Sequence, residues 1–389
     1  MRFLPSLKKI KAGLFAVTLL LIVIISAVAS SANVFAQQHE SKHDGTDMVE
    51  DHATKKELDA GKMIIEHLVD AHEWHLWTYK GHHVSIPLPV FLIHENNFYA
   101  FWSNKLAHGH HYKGFYVATE GDYKGKIIKA AHDDGHGHDT ESTELSPDLP
   151  IDLSITKNVL AILMSSILLI IMFTSVAKAY RRREGQAPKG LQSLLEPIII
   201  FIRDDIAKSS IGEKKYERYM PFLLTIFFFI FLNNLMGIIP FFPGGANVTG
   251  NIAVTGVMAI FTFLITTFSG NKAYWGHIIN APGVPWWLKF PIPLMPIVEI
   301  VGMFTKPFVL MVRLFANITA GHTIILGFIS LIFIFGNINT FLGFGIGIGF
   351  SIPFAVFMSL LELLVAFIQA YVFTLLSALY FGMAIEEHH

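Results

Sequence analysis

The stretch Pro307-Phe-Val-Leu-Met-Val-Arg-Leu-Phe-Ala-Asn-Ile-Thr-Ala-Gly-His322 carries a single arginine, Arg313, in a run otherwise apolar enough to lie within a membrane. A guanidinium keeps its proton, and at the centre of a helix in lipid it costs about 2.5–3.5 kcal/mol on insertion scales. Such a residue either snorkels or forms a structural ion pair, or it faces protein or a watery cavity and marks an ion path. The neighbouring residues favour the ion path. Glu299, Lys306 and Arg313 stand seven residues apart. At about 100° per residue they drift by only about 20° per step and form one polar stripe. Asn317 stays near that stripe, whereas His322 falls about 180° around the helix from Arg313 and about 13 Å along it. One helix therefore shows a permanent cation on one side and a titratable imidazole on another.

A second polar set stands in the last apolar stretch, where Glu362 and Gln369 are again seven residues apart between Ser351 and Met383. A glutamate alone in lipid is costly, but packed against the helix that carries His322 it can share water or a proton with the imidazole. A His–Glu pair that only pins two helices together remains the other reading.

Composition bounds the class. With 52% hydrophobic residues, 34 Phe and a mean hydropathy of +0.49, the chain is an integral membrane protein rather than a soluble domain. A net charge of −1 argues against nucleic acid as a partner, and the absence of cysteine excludes disulfides, thiolate metal sites and cysteine catalysis. No phosphate-cradling glycine loop with its lysine is present, so the chain is not expected to be an enzyme and no cofactor is expected.

The N-terminus has Arg2, Lys8, Lys9 and Lys11 before an apolar run from Leu14 to Ala29, followed by small residues. This reads as a signal peptide over 1–36, or as an uncleaved anchor, and either places Gln37 onward outside the membrane. Residues 37–150 form an external polar segment with 15 of the 19 histidines, including His108-Gly-His-His111 and His132-Asp-Asp-Gly-His-Gly-His138. Trp74, Trp77 and the alternation from His83 to Ile93 predict one or two short strands or a membrane-surface lip. The histidines could bind zinc, copper or nickel, but their spacing matches no defined site, so no metal ligands are assigned.

From 151 to 389 the chain reads as an all-α membrane domain of about five transmembrane helices. The first span runs from about Ile155 to Val176 and ends on Lys178, Arg181, Arg182 and Arg183, which the positive-inside rule makes cytoplasmic. Gly190 to Tyr219 mixes Ile198-Ile-Ile-Phe-Ile202 with charges and predicts an amphipathic helix on the cytoplasmic surface. Spans from about Pro221 to Ile239 and Ile252 to Phe268 form a hairpin, followed by an interfacial loop bearing Trp275, Trp286, Trp287 and Lys289. The last two spans, about Pro293 to Phe335 and Phe344 to Met383, exceed the roughly 20 residues needed to cross upright and must tilt strongly. Their connection is external, which leaves the C-terminus cytoplasmic.

Several blocks carry a resemblance. Lys306-Pro-Phe-Val-Leu-Met-Val-Arg-Leu-Phe-Ala-Asn-Ile-Thr-Ala-Gly321, Phe367-Ile-Gln-Ala-Tyr-Val-Phe373, Gly382-Met-Ala-Ile-Glu-Glu-His388 and Asn234-Leu-Met-Gly-Ile-Ile-Pro240 together resemble subunit a of the F-type ATP synthase, over roughly 150–389. The resemblance implies a multi-pass subunit of a bacterial inner membrane, with the ring of c subunits, subunit b, the remaining synthase subunits and the bilayer as partners. It makes Arg313 the family's essential arginine between two aqueous half-channels, Asn317 and Gln369 its polar companions, His322 and Glu362 the family's Glu/His pair in exchanged order, and Asn234 a half-channel residue. Glu299 and Lys306 support the stripe. Gly237 departs from the acid found there in many relatives, and Ala316 from a common glycine. The implied mechanism protonates a c-subunit carboxylate from one half-channel, lets the neutral site rotate through lipid, and releases the proton where Arg313 favours the ionised form. The other classes open to such a chain are an independent ion channel or secondary transporter, and a membrane-tethered metal-binding protein acting through its external histidines.

Overall fold

The computed structural model describes residues 70–79, 82–118, 123, 125–129, 149–183, 185–239, 242, 244–279, 294–338, 341, 345 and 348–386. The expected signal segment 1–36, the histidine patch at 132–138 and the Trp286-Trp287-Lys289 part of the expected belt lie outside these residues.

The expected fold, an all-α membrane protein with one or two short strands or a membrane-surface lip in its N-terminal segment, is corrected at that end, where the described residues form a small β region of seven strands. β1 (Glu73–Tyr79) pairs antiparallel with β2 (His82–Pro87). β3 (Pro89–His94) lies between β4 (Asn97–Trp102) and β7 (Ile151–Asp152), and β5 (Phe115–Val117) pairs with β6 (Ile127–Lys129). Alternation decides β3: Val90, Leu92 and His94 point inward, and Val90 and Leu92 join Phe101, Leu106, Phe115 and Ile127 in a compact core. Glu95 and Asn96 both take positive φ, 48° and 63°, the backbone of a tight turn whose twist matches the two strands it joins. Neither is a glycine, which is why this turn carries little signal in the sequence.

Among the described residues, seven α-helices of eight residues or more build the helical part. They are α1 (Lys157–Arg182), α2 (Leu191–Phe201), α3 (Tyr216–Ile238), α4 (Ile252–Ser269), α5 (Lys272–Ile279), α6 (Leu294–Ile338) and α7 (Gly349–Ile385). Of these α1, α3, α4, α6 and α7 are long and apolar enough to cross a membrane. α6 has 45 residues and α7 has 37, which at 1.5 Å per residue gives about 68 and 55 Å against a hydrocarbon layer of about 30 Å.

The segment read as one amphipathic helix has three parts. α2 passes into a π-helical stretch (Ile202–Lys208) and a last turn (Ser209–Ile211) before Gly212, at φ +92°, ends it. One face of it, Ile202, Ile206, Ala207 and Ile211, is buried in the bundle, while Asp204 bonds Arg203 and Lys208 on the other. α3 is the central helix. Leu223, Ile226, Phe227 and Ile230 are fully buried there, and Phe381 of α7 stacks on Tyr219 with centroids 5.0 Å apart.

The β region is tied to the head of the bundle. Thr156 caps α1 by accepting from the Val159 amide, and its hydroxyl donates to Asp70 at 2.7 Å. Asp70 also accepts from the Asn158 amide at 3.0 Å. Trp74 is buried and meets Phe242, in the turn between α3 and α4, edge to face at 5.3 Å.

Candidate functional site

Three helices bring the polar residues of the spans together. On α6, His322 directs Nδ1 to within 3.0 Å of Glu362 Oε1 on α7, and Glu362 is only 5% exposed. The ring N–H does not lie along that line. The contact is therefore a close approach rather than a hydrogen bond, and both carboxylate oxygens stay buried without a donor. A buried carboxylate in that state is costly unless it takes a proton or a water molecule.

Two glycines permit this approach. A Cβ on Gly321 would stand 3.1 Å from Glu362 Oε1, and one on Gly237 of α3 would stand 3.2 Å from His322 Nε2. Both are tighter than ordinary contact, so the missing side chains are what let α3, α6 and α7 close around the pair. Gly237 thus sits directly on the imidazole, and the acid expected there in many relatives would occupy the same space. One turn earlier on α3, buried Asn234 accepts from the Thr249 hydroxyl and leaves its Nδ2 without an acceptor. Thr249, in the turn before α4, was not singled out in the sequence, where a threonine in Asn247-Val-Thr-Gly250 looks like an ordinary loop residue.

Arg313 and Asn317 lie elsewhere. Leu310, Leu314 and Ile318 form the buried face of α6, whereas Arg313 and Asn317 are exposed on its open side. Among the described residues no carboxylate lies within ion-pair reach of Arg313. Gln369 is buried on α7, two turns beyond Glu362. Lys306 places Nζ 5.6 Å from the Tyr380 ring centre, in a cleft lined by Thr262, Thr266 and Tyr274. Glu299, the stripe's other end, approaches His277 of α5 at 4.0 Å. The helical wheel therefore holds: the cation faces out, and the imidazole faces Glu362 of α7 and Gly237 of α3 on the other side.

Among the described residues no group of three His, Asp or Glu side chains is disposed to hold a metal ion. The alternation near His83 falls in two strands, β2 and β3.

Comparison with known proteins matches residues 160–382 to the family model ATP synthase A chain, and residues 63–153 to a domain of unknown function, DUF8433. An ATP synthase subunit a of Chloroherpeton thalassium is 43% identical over 268 residues, covering 66% of this chain and 76% of the relative. An ATP synthase subunit a 2 of Chlorobaculum tepidum is 47% identical over 239 residues, 60% of this chain and 64% of the relative. A subunit a from an Anaeromyxobacter species is 41% identical over 269 residues, 66% of this chain and 61% of the relative.

Proposed function

This chain belongs to the ATP synthase A chain family, and on that premise we propose that Arg313 is the charge barrier between two half-channels that load and unload protons on a rotating ring of carboxylates. Membership makes the chain a multi-pass, non-catalytic, proton-translocating subunit of the membrane sector.

The observation that carries the reading is the division of α6 into two polar sides, an open one with Arg313 and Asn317 and an inner one where His322 meets Glu362 of α7 and Gly237 of α3. An exposed guanidinium on an apolar face needs an anion from outside the chain. A ring carboxylate, neutral while it crosses lipid and ionised when it meets Arg313, supplies one. Because Arg313 never loses its charge, it also prevents protons from passing directly between the channels. His322, Glu362 and Asn234 form the relay on the external side, with Gln369 beside the arginine's path. Each charge that crosses gains about 2.3 kcal/mol per 100 mV, which turns the ring.

The partners under this reading are the c ring, subunit b and the other synthase subunits, in a bacterial inner membrane. Residues 1–36 act as the signal peptide, 37–150 lie outside and 151–389 form the membrane domain with its C-terminus in the cytoplasm. Arg181 and Arg182 at the end of α1 support that orientation. α6 and α7 cross at a strong tilt, and the helix from 191 to 211 lies along the cytoplasmic surface. ATP-driven pumping and passive proton leak, measured in vesicles with the assembled complex, test the barrier. Arg313→Ala abolishes pumping and opens a leak through the membrane sector. Normal pumping in that variant would overturn the assignment.

A further inference from the structure

Among the described residues the β region has two apolar faces, and only one of them is covered. In the β4-β3-β7 sheet the inward side chains form the compact core, but the side chains between them are apolar as well. Phe98 stands opposite Ile93, Trp102 opposite Pro89, and Ile151 beside Ile93 on the other edge. Exposure reaches 63% for Phe98, 56% for Trp102, 62% for Ile151 and 45% for Leu153. A sheet with one face in water normally alternates apolar with polar residues, so this face is made for something other than water.

The chain shows what it meets. Ile151 and Leu153 lead, on the same side, to Ile155, whose amide donates to the Pro89 carbonyl and whose side chain packs on the core of the membrane bundle. The uncovered face therefore looks toward the side on which the spans lie. Ile155 is two residues from the start of α1 at Lys157, about 7 Å of extended chain, and the headgroup zone is about 5–8 Å deep on each side of the bilayer. Trp102, in the row of Pro89 and Ile155, has the residue type that collects at this boundary.

We propose that the sheet lies on the outer leaflet, with Phe98, Trp102, Ile151 and Leu153 inserted among the lipid headgroups as a membrane-docking surface. It goes beyond proton translocation and depends only on α1 crossing the membrane. The β region then acts as an interfacial anchor at the head of α1, holding the hairpin turn through Trp74.

The chain contains no cysteine, which makes site-directed spin labelling in the assembled complex direct, once the partner subunits are also free of reactive thiols. Labels at Phe98→Cys, Trp102→Cys and Ile151→Cys are compared with one at exposed His110→Cys in phosphatidylcholine–phosphatidylglycerol vesicles, using only preparations that still pump protons. At the three sheet positions we expect collisions with oxygen to rise, and collisions with a water-soluble nickel chelate to fall severalfold, relative to position 110. Nickel accessibility equal to that of position 110 would overturn the proposal, since the face would be in water. Labels shielded from both reagents would overturn it too, since another subunit or a second copy would cover the face. If a cysteine variant fails to assemble, wild-type and Trp102→Phe complexes in vesicles of headgroup-proximal brominated lipid give the same decision. Docking predicts that the substitution removes part of the bromine-quenched tryptophan emission, and an unchanged quenched component would overturn it.

Discussion

At the scale of single residues, the candidate site rests on space left between helices for His322 and Glu362. Glu362 has no hydrogen-bond donor, and His322 stands at 3.0 Å without donating along the contact line. Glu362→Gln keeps the shape and removes the exchangeable charge. We expect ATP-driven pumping to fall by about a hundredfold or more, within the range that positioned proton-transfer groups contribute, with passive leak unchanged. Wild-type pumping in that variant would mean the pair only pins α6 to α7. Gly237 gives an independent handle. Gly237→Ala places a methyl 3.2 Å from His322 Nε2 and 3.4 Å from the Ala246 carbonyl, a tight fit that a small shift of the ring relieves. The branched side chain of Gly237→Val cannot be accommodated in this way. Pumping should fall modestly in the first and severely in the second, and equal rates would show that the imidazole does not need its place.

At the scale of elements, the helices are held where backbone approaches backbone. A Cβ on Gly382 of α7 would meet the Ser210 carbonyl at 1.9 Å, and no side-chain rotation can relieve that overlap. Gly382→Ala should therefore cost at least the roughly 1–3 kcal/mol typical of overpacking, seen as a lower thermal midpoint and a lower yield of assembled complex. An unchanged midpoint would show that the turn Ser209–Ile211 and α7 separate freely. The end of α7 is closed by its neighbours: Asn271 donates its amide to the Ala384 carbonyl at 3.0 Å and its side chain to the Glu386 carbonyl at 2.7 Å. These contacts account for the Gly-Met-Ala-Ile-Glu block that was legible as a motif. Its physical basis, a close crossing and a capped C-terminus, was not legible, because the partner residues lie more than a hundred positions away.

At the scale of the whole molecule, a charged clasp ties the chain just before β1 to β7, next to the head of the bundle. His72 Nε2 lies 2.7 Å from Asp152 Oδ2. Burial opposes the charged imidazole, but the hydrogen bond and charge of Asp152, with Asp70 beyond, outweigh it and raise His72. Burial likewise opposes charge on Asp152, yet the His72 hydrogen bond and those of Ser154 hold it below the usual carboxylate range. His72 therefore contributes stability that is complete below about pH 6.5 and is lost as pH rises through its raised value. Asp152 contributes above about pH 4 and loses this only as pH falls through its lowered value. Exchange protection of β1 and β7, corrected for intrinsic rates, should decline from pH 6 to pH 9 in the wild type and vary less in Asp152→Asn. Protection that is flat with pH in the wild type would sink the clasp. By itself the sequence determined the membrane class, the five long apolar helices and the opposition of Arg313 and His322 on one helix, because those properties are periodic and local. Only tertiary structure decided that, among the described residues, seven short strands precede the bundle, that Asp70 holds the Thr156 cap of α1, and that Gly237 and Gly321 leave room for His322 and Glu362. Contacts between residues tens of positions apart leave no periodic trace, and a glycine acquires meaning only from the atom that stands where its side chain would be.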